Sequence, residues 1–249
     1  MKIIAVIPAR FGSTRFPGKP LVELKGKKII QWVVEGARTS SLVKEVYVAT
    51  DDQRIADFCK TIPVPVLMTR SDCPTGTDRI YEATQHLDFD CVLNIQGDEP
   101  LISKEYIDPL AQAFIKNPSL EMATLAHPLH AEDVDNLNAV KVISNVNQEA
   151  IYFSRFPIPF SREKFKPAAS EQVSDFQQMP AMKHIGLYGY SKKFLKTFCT
   201  TPQTLLEKNE SLEQLRALYL GVRIKVLPVA KPTYGVDTPE DLQKLEALL

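Results

Sequence analysis

The sequence lacks the features that make several functions easy to assign. Its 249 residues include four cysteines, at 59, 73, 91 and 199, and no two stand in a C-x-x-C pair. That spacing supports neither a zinc ribbon nor a thioredoxin-type redox site, and so few cysteines argue against a disulfide framework. The first apolar run, Ile3 to Ile7, ends at Pro8. It is too short for a signal-peptide core or a membrane span. Thirty acidic residues balance thirty basic ones. With no net charge, no global field draws the chain to nucleic acid or to an anionic membrane. Repeats and low-complexity tracts are also absent. These absences predict a cytoplasmic protein that binds neither nucleic acid nor membrane, and in which any anion is held by a local cluster.

What is present is a regular alternation. "KIIAVI" (2–7) is a continuous apolar strand of the kind buried on both faces of a parallel sheet. "KKIIQWVVEGARTS" carries apolar residues at helical spacing: Ile29, Ile30, Val33, Val34 and Ala37. Strands follow at 45–50, 64–69, 91–96 and 122–129, with helices at 52–62, 77–87 and 103–117 between them. Pro109 is expected in or near the first turn of the last of these helices. This β-α-β rhythm predicts an α/β protein with a doubly wound, mostly parallel sheet and helices on both faces. From about 130 the rhythm breaks. Residues 130–182 are read as a smaller lobe with a hairpin and a mobile loop, and 1–129 with 183–249 as the core. Beyond the lobe, "KHIGLYGYSKKFLKTF" gives a strand and a helix, 211–221 a helix stopped by Gly221, and "RIKVLPV" a strand. A last helix has Asp237 or Thr238 as its N-cap and Pro239 in its first turn.

In doubly wound sheets, ligands bind beyond the carboxyl ends of the strands. The segments 8–19, 50–52, 70–78 and 96–100 all fall at that edge. The first reads "PARFGSTRFPGK". It is not a P-loop: five residues separate Gly12 from Gly18, and Pro20 stands where a hydroxyl residue would follow the lysine. No G-x-G-x-x-G is present, so a dinucleotide site is unsupported. The loop still offers small residues whose amides can face an anion, with Arg10, Arg15 and Lys19 adding positive charge. A phosphate site so basic commonly also takes a divalent cation. Asp98 in "NIQGDEP" and Asp237 in "GVDTPED" are carboxylates suited to Mg²⁺, provided the fold brings them together. The bland alternatives are a turn residue for Asp98 and a helix cap for Asp237.

Ten segments in order, among them "IPARFGSTRFPGKPL", "TGTDR", "NIQGDEP", "NAVKV", "YFSR", "KHIGLYGY", "LEQLRAL" and "VDTPEDL", together resemble the 3-deoxy-manno-octulosonate (Kdo) cytidylyltransferases over nearly the whole chain. The resemblance implies a nucleotide-diphospho-sugar transferase fold, a dimer, and formation of CMP-Kdo and pyrophosphate from CTP and Kdo for lipopolysaccharide synthesis. It implies catalytic roles for Arg15, Lys19, Asp98 and Asp237, with Mg²⁺ on the two aspartates. It implies nucleotide contacts from Arg10, Ser13, Thr75, Gly76, Thr77, Asp78, Arg79 and Gln96. The sugar side would draw on Arg155, Arg162, His184, Tyr188, Glu213 and Gln214, with Asn138 and Lys141 nearby. The stretch 163–182 matches none of the family's motifs. Two alternatives share these residues: a related nucleotidylyltransferase for 8-amino-Kdo or a sialic acid, and a non-catalytic nucleotide-sugar-binding protein.

Overall fold

The computed structural model describes residues 1–12, 16–160 and 181–249. In chain order the strands are β1 (Ile3–Ala9), β2 (Glu23–Leu24), β3 (Lys27–Lys28), β4 (Glu45–Thr50), β5 (Val66–Met68), β6 (Cys91–Asn94), β7 (Met122–Pro128), β8 (Lys141–Ser144), β9 (Ala150–Ser154), β10 (Ala181–Ser191) and β11 (Ile224–Pro228). The α-helices are α1 (Ile29–Ala37), α2 (Gln53–Cys59), α3 (Gly76–Thr84), α4 (Lys104–Lys116), α5 (Ala131–Val134), α6 (Lys192–Thr200), α7 (Leu205–Glu210), α8 (Gln214–Tyr219) and α9 (Pro239–Leu248). The chain divides into two compact units, one of residues 1–120, 187–199 and 233–249, the other of 121–186 and 200–232. The lobe expected at 130–182 falls within the second unit, which also takes 121–129, 183–186 and 200–232.

The first unit is built on strands in the order β5-β4-β1-β6-β10. β1 runs parallel to β4 and β6, and β4 parallel to β5. The last residues of β10 run antiparallel to β6, with Tyr188 opposite Asn94. The unbroken apolar run of β1 has its cause here: a central strand has no water-facing side, and Ile3 through Ile7 are all buried. Full burial of each isoleucine or valine side chain there contributes about 1.5–3 kcal/mol. In α1 the buried residues are Ile29, Ile30, Val33, Val34 and Ala37, the stripe read from the sequence. Register matters most for the site. Ala9 pairs with Thr50 and Thr50 with Met68, so β1, β4 and β5 end level, while β6 ends at Asn94 opposite Val6 and the chain after it runs on beside the end of β1.

The second unit pairs β11 in parallel with β7, and β8 antiparallel with β9 and with the start of β10. β8 and β9 form an antiparallel hairpin. Most of 163–182, the expected mobile loop, lies outside the described residues. In this unit the Thr124 hydroxyl donates to the Ile185 carbonyl at 3.1 Å. Glu207 on α7 and Arg216 on α8 form a buried ion pair, with Nε to Oε2 at 2.9 Å and Nη2 to Oε1 at 2.5 Å.

Two expectations need adjustment. The helix expected at 211–221 is confined to α8, because Ser211 takes a left-handed conformation (φ 52°) at the end of α7. Gly221 does follow it with positive φ, as a C-terminal stop requires. Pro109 lies inside α4, deeper than its first turn. Of the two caps expected for α9, Thr238 takes the position and forms a reciprocal capping box with Asp241.

Candidate active site

A cavity of about 280 Å³ opens beyond the carboxyl ends of β1 and β6 in the first unit. Eight of the residues singled out from the sequence line it: Arg10, Lys19, Thr75, Gly76, Arg79, Gln96, Asp98 and Asp237. Each is placed by a local cause. Gly18, with φ 72°, turns the chain so that Lys19 follows the loop back toward β1, and its amide donates to the Phe11 carbonyl at 2.9 Å. Gly97 allows the turn after β6 to approach β1: a Cβ there would lie 2.8 Å from the Pro8 carbonyl oxygen. Thr75 caps α3, its hydroxyl accepting from the Asp78 amide at 3.1 Å. That leaves the first turn of α3 against the cavity, where the positive end of the helix dipole favours an anion.

The remaining nucleotide-side residues stand one layer back. Asp78 accepts from the Thr75 hydroxyl at 2.9 Å. Thr77 is buried and accepts from the Asn94 carboxamide at 3.2 Å, while Gln96 donates to Asn94 at 3.1 Å. This relay sets the orientation of the Gln96 carboxamide. The Arg79 guanidinium is nearly inaccessible and lies 3.2 Å from an Asp51 oxygen, with a further bond to the Thr69 hydroxyl. Thr77 and Asp78 therefore support the cavity wall without lining it. Ser13 and Arg15 lie outside the described residues.

The centre of charge is Lys19. Its ammonium lies 2.6 Å from Asp98 Oδ2 and 3.0 Å from Asp237 Oδ1. Residues 79 and 218 positions from Lys19 thus meet at one atom. Because Thr238 caps α9, the Asp237 carboxylate is available to the cavity. Two carboxylates aimed at one positive charge form a hard-oxygen donor pair that suits a divalent cation, whose other ligands would be phosphate oxygens and water. Among the described residues no group of three or more His, Cys, Asp or Glu is arranged to hold a metal. Glu99 is a residue that the sequence motifs do not single out. Burial, then the neighbouring Asp98 charge, pushes its carboxyl up to about 8. Its one signal in the sequence is adjacency to Asp98.

On the sugar side, Tyr188 belongs to the first unit and is buried, its ring 5.9 Å from that of Tyr190. Arg155, His184, Glu213 and Gln214 belong to the second unit. Arg155 donates to carbonyls of Glu210 at 2.8 Å, Leu137 at 3.1 Å and Ser211 at 3.3 Å, so it also ties the end of α7. His184 Nε2 lies 2.9 Å from the Thr124 hydroxyl, and burial pushes its pKa down to about 3. The ring is neutral at pH 7. Gln214 is buried, and its side-chain nitrogen has no hydrogen-bond partner among the described residues. Lys141 is fully buried and donates to the carbonyls of Asn136, Ala139 and Arg155. Asn138 is exposed, and Arg162 lies outside the described residues.

A polar cavity at parallel strand ends, bearing cations, helix amides and a carboxylate pair, defines a nucleotide-handling enzyme. A family model described as cytidylyltransferase matches residues 4–224. A 3-deoxy-manno-octulosonate cytidylyltransferase from Bdellovibrio bacteriovorus is 56% identical over 249 residues, covering 100% of this chain and 98% of the relative. One from Escherichia coli is 40% identical over 248 residues, covering 100% and 96%. A solved CMP:2-keto-3-deoxy-manno-octonic acid synthetase complexed with CTP superposes with a TM-score of 0.91 at 40% identity, covering 100% and 98%. A 4-diphosphocytidyl-2C-methyl-D-erythritol synthase from Anaerococcus prevotii shares the fold alone, with a TM-score of 0.65 at 14% identity over 99% of this chain and 95% of that one. The chain belongs to the 3-deoxy-manno-octulosonate cytidylyltransferase family.

Proposed function

We propose that this enzyme transfers the cytidylyl group of CTP to Kdo and releases pyrophosphate. The observation that carries the reading is the meeting of Lys19, Asp98 and Asp237 at the cavity, within a family whose members bear that activity in their names. The anomeric hydroxyl of Kdo attacks the α-phosphorus in line. A bond forms from that oxygen to phosphorus, the α–β bridging bond breaks, and pyrophosphate leaves with its charge while the hydroxyl proton is released.

Both reactants are anions, so the residues must first offset repulsion. Arg10, Lys19 and Arg15 hold the triphosphate, and the α3 amides with Gln96 orient the nucleotide. Cations placed where charge grows on the leaving group lower the barrier without reorganising at the moment of reaction. Holding two reactants aligned removes up to about 7–11 kcal/mol of barrier. Asp98 and Asp237 would hold a Mg²⁺, which when bound supplies charge neutralisation to the phosphates. Sugar-side roles go to Arg155, Arg162, His184, Tyr188, Glu213 and Gln214. The unpartnered amide of Gln214 supports this, because a buried donor left without a partner is costly and a sugar hydroxyl would satisfy it. Arginine is suited to the Kdo carboxylate by its bidentate geometry. The product serves lipopolysaccharide synthesis, and the enzyme works in the cytoplasm as a homodimer. Among the described residues no helix is long and apolar enough to cross a membrane.

The test is pyrophosphate release with CTP, Mg²⁺ and Kdo, beside 8-amino-Kdo and N-acetylneuraminate, with an Asp98→Ala control. Release with Kdo that the control abolishes supports the reading. Release with only another sugar moves the specificity, and no release with any sugar overturns the reading in favour of a binding protein.

A further inference from the structure

Asp237 arrives at Lys19 from a segment with no secondary structure of its own between β11 and α9. Something must fix that segment, since a misplacement of about 1 Å in a positioned group can cost on the order of 10²-fold. Two ties from one short turn do so. The Val236 amide donates to the Asp98 carbonyl at 2.8 Å. The Thr233 hydroxyl donates to Glu99 Oε1 at 3.2 Å. Between them stands Gly235, where a Cβ would meet Glu99 Oε1 at 3.5 Å, so the segment runs directly over the Glu99 carboxyl. Val236 itself is fully buried and anchors the span. The turn that supplies one carboxylate therefore also grips the segment that supplies the other.

We propose that Glu99 is a positioning residue: by accepting from Thr233 it braces residues 233–237 so that Asp237 converges with Asp98 on one cation. The inference rests on the cation-dependent reading above. It places Glu99 outside the ligand set, acting through Asp237. The distinction is testable, because a brace needs an oxygen acceptor whereas a ligand needs a charge. Glu99→Gln keeps the acceptor oxygen and removes the ability to ionise that a ligand would need. Glu99→Ala loses both, and Thr233→Val removes the donor from the other side.

The experiment titrates Mn²⁺ into each purified variant with CTP and no sugar, following free Mn²⁺ by electron paramagnetic resonance. Partners that orient a metal's ligands typically change its affinity by about 10–100-fold. Glu99→Ala and Thr233→Val should each weaken Mn²⁺ by about tenfold or more, with Glu99→Gln within about threefold of wild type. Melting temperatures should stay within about 2 °C of wild type, a shift no larger than a loss of about 1 kcal/mol gives at this size. Wild-type affinity in Glu99→Ala overturns the brace. So does an equal loss in Glu99→Gln and Glu99→Ala, which would make Glu99 a ligand. If Glu99→Ala does not fold, Thr233→Val and Glu99→Gln decide between the same outcomes. Wild-type pyrophosphate release is measured in parallel; its absence would count against the functional reading, while the Mn²⁺ titration judges the brace separately.

Discussion

Replacing Glu207 by glutamine should be among the most destabilising single-atom changes available in this chain. Glu207 and Arg216 expose only 4% and 3% of their side chains, and their two contacts are bidentate. Glutamine preserves the side-chain volume and an oxygen that can serve the capping box with Thr204, so helix capping is largely retained. What remains is a guanidinium buried without its counter-charge. Breaking such a pair costs about 3–5 kcal/mol. With a urea slope of about 2–3 kcal/mol per molar, the unfolding midpoint should fall by about 1–2.5 M. The assay is urea unfolding at pH 7 followed by circular dichroism. The double variant Glu207→Leu with Arg216→Met supplies the control: with neither charge present, most of the loss should be recovered. A midpoint shift below about 0.5 M in Glu207→Gln would refute the argument, as would a double variant no more stable than the single one. The same helix α8 carries Gln214, so partial loosening should raise KM for the sugar before it lowers kcat.

Asp237→Asn removes one carboxylate charge while keeping the shape, and should lower pyrophosphate release by about 10²–10³-fold with little change in melting temperature. Retained activity at saturating Mg²⁺ would rule out the metal role. Gly36→Ala should destabilise the first unit by about 1–3 kcal/mol or more, since its Cβ would sit 2.0 Å from the Ile102 carbonyl oxygen; an unchanged melting temperature would contradict that packing. His184 gives a signed pH effect. Its folded pKa is depressed from 6.5 to about 3, so below about pH 6.5 the unfolded chain binds a proton that the folded chain does not. Stability from this residue is present above that pH and lost as pH falls, at up to about 1.4 kcal/mol per pH unit. His184→Gln should flatten the slope between pH 6 and pH 5 by about that amount; an identical slope would refute it.

The alternation of buried strands and amphipathic helices determines much of this protein, because each local pattern states how its face meets water. The stripe Ile29, Ile30, Val33, Val34, Ala37 is legible in the spacing of apolar residues alone, as is the burial of Ile3 to Ile7 on both faces. Parallel strands put their carboxyl ends at one edge, so the sequence also points to Arg10, Lys19, Gln96 and Asp98 as neighbours. Other features are not local. Whether Asp237 or Thr238 caps α9 depends on a competition between side chains one residue apart. Thr238 takes the cap, and Asp237 faces a lysine 218 residues away. Thr77 and Asp78 share a motif with Thr75 and Gly76, yet helix geometry turns only the latter pair to the cavity. Glu99 reads as a companion to Asp98; only the return of residues 233–237 gives its carboxyl a partner. Sequence alone determined which faces are apolar and which edge binds, since those follow from periodicity and strand direction. Tertiary structure decided which carboxylates meet, because that depends on distances between chain segments that no periodicity encodes.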